Sequence, residues 1–138
     1  MNADMEFENV TTDAFVEAYT SSKPIFDGVL KEVRELSKKK PEATMSASKV
    51  KLVNRILNDL LVFLKNEPAG KYLEALDDES LPQMSDAVLT MVQFESALKA
   101  FHSKYYQFVK ETRTNYWITS ELVAEWNEDD EGKENDED

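Results

Sequence analysis

His102 is the single histidine of the chain, so any catalysis through an imidazole must use it. A general base there needs a partner within hydrogen-bond reach to orient it. Glu95 shares its helical edge with Val88, His102 and Val109, but it lies seven residues before His102. Two helical turns separate such side chains by about 10 Å along the axis, too far for a direct bond. Glu95 sits close to an apolar stripe and is expected to need a basic partner, Arg55 or Lys99. Di-iron helical centres use repeated Glu-x-x-His pairs, and the chain has none. Cysteine is absent, which removes thiolate metal sites, thiol nucleophiles and disulfides. Gly28, Gly70 and Gly132 are too scattered to form a phosphate-cradling loop. The reading is therefore a protein without a catalytic centre, metal or cofactor.

One further stretch resembles a ligand site in its spacing. From Asn127 to Asp138, Asp129 stands third, Glu131 fifth, Gly132 sixth and Asp138 twelfth. Calcium loops of the helix-bordered kind open on Asp, carry an apolar residue at position eight and close on a bidentate Glu. Here those positions hold Asn127, Glu134 and Asp138, with no exit helix expected beyond them. The composition favours a disordered acidic tail over 127–138, because no apolar residue follows Trp126 to offset the entropy of ordering.

The elements expected to position any site are helices. Three glycines and four prolines in 138 residues leave little turn chemistry for a strand-rich fold. Ile25, Phe26, Val29, Leu30, Val33 and Leu36 recur at three- and four-residue steps, predicting a helix over 24–38 with Pro24 in its first turn and Ser22 as its cap. A shorter helix capped by Thr12 precedes it, burying Phe15, Val16 and Tyr19. Val50, Val53, Leu57, Leu60 and Leu64 form the next stripe, widened by Leu52, Ile56 and Phe63, so this helix should be touched on more than one side. A short helix is expected over 69–76. The last stripe, Ala87, Met91, Phe94, Leu98, Phe101, Tyr105 and Phe108, predicts a helix from a Ser85 cap to residue 113, about 43 Å long. Tyr116 to Trp126 suggest a final short helix starting at Thr119 or Ser120. No segment alternates with period two for long enough to predict a strand. The expectation is an all-α, compact bundle of four to five helices, with an arm over 1–11, the bundle over 12–126 and a disordered acidic C-terminal tail over 127–138.

Charge then narrows the partner. Of the net −12, −8 lies from Glu125 onward, where nine carboxylates face Lys133 alone. Residues 23–66 carry ten bases and five acids, whereas 67–95 carry seven acids and only Lys71. Such blocks either neutralise one another or orient a partner. Tyr105, Tyr106, Tyr116, Trp117 and Trp126 are more aromatics than a small core requires, and aromatic residues dominate interface centres. With Asp77, Asp78 and Glu79 from the acidic block, they are the predicted partner-binding residues. The functional expectation is a non-enzymatic protein–protein interaction module, self-associating as a homodimer through the 85–113 helix or binding a protein with a basic surface. The alternative is an acidic nucleic-acid mimic that inhibits a DNA- or RNA-binding protein. Direct nucleic-acid binding is opposed by the net charge. The acidic N-terminus has no secretory signal pattern and no apolar run reaches membrane-spanning length, so a cytoplasmic protein is expected.

Overall fold

Thr12 starts the first helix, its hydroxyl oxygen accepting from the Phe15 N–H and its carbonyl from the Val16 N–H. In the computed structural model, whose backbone is described for residues 6–136 and side chains for 6–129, helix α1 then runs Asp13–Lys39 without a break. The two helices predicted on either side of Ser22 are thus one. Tyr19, Ser22, Phe26, Leu30 and Val33 form a single buried stripe across the expected boundary. Pro24 lacks the N–H that would bond the Thr20 carbonyl, but it removes only that one rung. The Thr20 and Ser21 hydroxyls donate back to the Glu17 and Ala18 carbonyls in the turn before it.

Helix α2, Ala47–Leu64, is capped by Ser46, whose hydroxyl accepts from the Lys49 N–H. A turn of 3-10 helix, Pro68–Gly70, replaces the short helix predicted over 69–76. Helix α3 spans Met84–Tyr105. Its start needs no Ser85 cap, because the Pro41 carbonyl accepts from the Ser85 N–H and the Ala43 carbonyl from the Met84 N–H. Strands β1, Tyr106–Val109, and β2, Thr114–Trp117, pair antiparallel with Tyr106 opposite Trp117 and Phe108 opposite Asn115. Helix α4, Ser120–Asp136, opens on Thr119, whose hydroxyl accepts from the Leu122 N–H.

The helix predicted to residue 113 therefore ends eight residues early, and a hairpin stands where no strand was predicted. Tyr105 to Phe108 satisfy a three-residue step by coincidence, while Tyr106, Phe108, Tyr116 and Trp117 are the aromatic types that suit a pleated surface. The Lys110–Arg113 connection closes with Arg113 in the left-handed region at φ 57° and its N–H on the Val109 carbonyl. No glycine marked that turn. Helix α4 carries its backbone through Asn127 to Asp136, past the boundary that composition suggests at Trp126. Glu128, Glu131, Glu134 and Lys133 in that stretch are good helix formers. The side chains from Asp130 on, which include most of the calcium-loop positions, lie outside the described residues.

Among the described residues, four helices and one two-stranded hairpin make the fold all-α in class. It divides into two compact units. The first comprises Glu17–Phe101, with a core in which Tyr19, Phe63 and Phe101 bring three helices together at ring-centroid distances of 5.0 to 6.3 Å. Burial pushes the Tyr19 hydroxyl pKa up. Asn54 anchors the segment after the 3-10 turn, its amide donating to the Leu76 carbonyl and accepting from the Leu76 N–H at 2.9 and 2.8 Å.

The second unit joins the residues before Glu17 to those from His102 onward. Thr11 bridges Thr119, its N–H donating to the Ile118 carbonyl and its own carbonyl accepting from the Ser120 N–H. Glu121 completes the arrangement, accepting from the Asp13 N–H at 2.9 Å and the Ser120 hydroxyl at 2.7 Å. The Ser120 hydroxyl, then the Asp13 N–H, hold the Glu121 carboxyl below its ordinary value. A depressed pKa contributes stability that is present above the ordinary glutamate range and disappears as pH falls through the folded value. Acid titration followed by tryptophan fluorescence should accordingly show wild type losing its margin over Glu121→Gln below about pH 4. A constant difference between the two down to pH 2 would remove Glu121 from the acid response. Among the described residues, no helix is long and apolar enough to cross a membrane.

Candidate protein-docking groove

Helix α1 presents two apolar lines rather than one. Phe26, Leu30 and Val33 point into the core of the 17–101 unit, while Ile25, Val29 and Leu36 sit one edge over with Glu32 among them. Together with Met45 and α2 they bound an open groove of about 430 Å³. Buried Val33, Met45 and Val53 form its floor. Ile25 on α1 and Leu52 on α2 form its walls, and both are more than half exposed, at 59% and 56%. Polar groups contribute little to the lining except at the rim, where Glu32 lies on the α1 side and Lys49 on the α2 side.

Gly28 lies in the groove in the middle of α1, and a methyl group placed on it would meet nothing within 4 Å beyond its chain neighbours and its own helix backbone. Glycine in a helix interior costs roughly 1 kcal/mol relative to alanine. Neither crowding nor a positive φ asks for it here. The arrangement leaves helix backbone bare at one position in the lining of an apolar trough.

A second cleft in the same unit is ionic. Lys23 pairs with Asp27 at 2.6 Å, Arg34 with Glu95 at 3.3 Å and Lys38 with Glu35 at 3.2 Å. The partner of Glu95 is thus Arg34 on α1, not Arg55 or Lys99. Spacing could not choose among Lys99 on the same helix, Arg55 on α2 and Arg34 on α1, because helix packing decides which cation faces Glu95. The hydrogen bond from Lys23 to Asp27 raises the Lys23 pKa above its ordinary value. Among the described residues, no three His, Asp or Glu side chains are grouped to hold a metal ion.

The residues singled out from the sequence fall into separate places. Tyr105 is buried, at 5% exposure. Trp117 packs against Tyr106 at 5.3 Å and against the His102 ring at 5.4 Å, with His102 and Tyr106 themselves 4.9 Å apart. Tyr116 points to the other face of the hairpin, edge-on to Trp126 at 5.2 Å, and Trp126 also meets Phe7 at 6.1 Å. These rings spend much of their surface on one another. Asp77, Asp78 and Glu79 are exposed in the coil before α3. The Asp77 carboxylate accepts from the Ser80 and Glu79 N–H groups, which hold it below its usual range. Asp77, Asp78 and Glu79 belong to the 17–101 unit and the aromatics to the other.

The groove is the feature that sequence reasoning did not assemble. Its signal was present in the extra width of both stripes, in Ile25, Val29 and Leu36 on α1 and Leu52 on α2, and in a glycine within a strong helical pattern. No family model matches the chain, and no curated protein or solved structure is significantly similar to it.

Proposed function

We propose that the chain is a non-catalytic, cytoplasmic protein-binding module that receives a helix of a partner protein in the α1–α2 groove. The observation that carries this reading is Gly28, exposed in the lining of the trough. A small residue at a crossing point lets a second helix approach the first closely, and flanking Ile25 and Leu52 offer the apolar area that helix-in-groove recognition uses. The absence of cysteine suits a reducing compartment.

The test uses one substitution that separates folding from binding. Gly28→Leu starts from a β-carbon position free of neighbouring side chains, improves helix propensity and places its larger side chain in the groove lining. Thermal unfolding of this variant should be no lower than that of wild type. Partner capture from host lysate should nevertheless fall at least tenfold, while His102→Ala captures as wild type does. Equal capture by Gly28→Leu and wild type sinks the reading. If that capture is also stripped by moderate salt and needs the residues after Trp126, the nucleic-acid-mimic alternative takes its place.

A further inference from the structure

We infer that the helix received by the groove is acidic and amphipathic, with its carboxylates lying along the α2 rim; this rests on the docking reading above. On α1, Lys23, Arg34 and Lys38 each face a carboxylate within ion-pair distance, and the two other cations, Lys31 and Lys39, do not line the groove. On α2, exposed Lys49, Lys51 and Arg55 have no such partner among the described residues. They surround a shallow depression of about 370 Å³ that shares Lys49 and Leu52 with the apolar groove. One wall of the trough thus continues into three exposed positive charges that make no ion pair among the described residues. The opposite wall carries Glu32, so charge changes sign across the groove.

Such a rim sets direction and selectivity. A helix seated over Gly28 with acids on one flank brings them to Lys49, Lys51 and Arg55, and turning it end for end would bring them to Glu32. Exposed pairs at a rim act mainly on association rate and salt response. Three of them together are expected to be worth roughly tenfold in affinity at low salt.

The experiment is a selection of displayed random helical peptides on the full chain, counter-screened against Gly28→Leu. Peptides that need Gly28 should carry apolar residues at i, i+3 or i+4, and i+7, with Asp or Glu enriched along one flank. The best of them should lose roughly tenfold in affinity on K49E/K51E/R55E, with far-UV circular dichroism unchanged, because all three positions are exposed. Selection on that triple variant should return Lys and Arg on the same flank. Gly28-dependent peptides with neutral or basic flanks overturn the charge inference while leaving the groove reading intact. If no peptide depends on Gly28, both fall. If sedimentation shows a dimer that Gly28→Leu returns to monomer, a second copy is the occupant and the acidic-helix inference is overturned.

Discussion

Replacing Phe101 by alanine is expected to lower the unfolding free energy by about 3–5 kcal/mol. Phe101 is 1% exposed and contacts Phe63 edge-on at 5.0 Å and Tyr19 in a stack at 5.5 Å. The substitution removes the ring that joins α3 to both other helices of the 17–101 unit, so the loss includes transfer, cavity and two aromatic contacts. With a urea slope of roughly 1–3 kcal/mol per molar, the midpoint should fall by at least about 1 M. Two probes make the measurement specific. Trp117 and Trp126 both belong to the other unit, so their fluorescence reports there, whereas α2 and most of α1 and α3 supply far-UV circular dichroism from the 17–101 unit. The midpoint by circular dichroism should drop; a change under 1 kcal/mol would show that the ring cluster is not the keystone described.

Gly70→Ala should be destabilising by about 1–3 kcal/mol, although it adds only one methyl group. Gly70 is buried, and a β-carbon there would press into the backbone carbonyl of Leu64. The φ angle is not positive, so conformation alone would tolerate alanine. The last turn of α2 and the 3-10 turn are tied by the Glu67 N–H on the Leu64 carbonyl and the Gly70 N–H on the Glu67 carbonyl, leaving neither backbone free to retreat. Gly28→Ala is the matched control and should stabilise by roughly 0.5–1 kcal/mol. Urea titrations giving the two alanines the same sign would contradict the packing account of both glycines.

The contrast between these glycines also marks what could be read from the chain alone. The α2 stripe and the buried part of α3 follow from three- and four-residue spacing, because burying one face of a helix imposes that period whatever the tertiary partners are. Thr12 as the α1 cap was legible for a similarly local reason. Pro24 misled because a proline signals a helix start when taken alone, whereas the buried stripe on both sides overrides it. The hairpin was hidden because its turn contains no glycine and Arg113 takes the left-handed position instead. The groove was less legible still. Spacing shows that Ile25, Val29 and Leu52 are apolar, but only packing determines which apolar residues are left uncovered.

Thr11 and Thr119 meet across 108 positions of sequence, the same separation as Asp13 and Glu121. A hairpin such as β1–β2 closes in about 1–10 μs. During synthesis at 5–20 residues per second, however, the segment around Thr11 emerges roughly 5–20 s before its partner has been made. Residues 17–101 contain both sides of their own core and can condense during that interval. The Thr11 backbone and the Phe7 ring must wait for their partners until the Thr119 stretch and Trp126 emerge. Vectorial synthesis thus gives the molecule an order of assembly, middle first and the union of its two distant segments last.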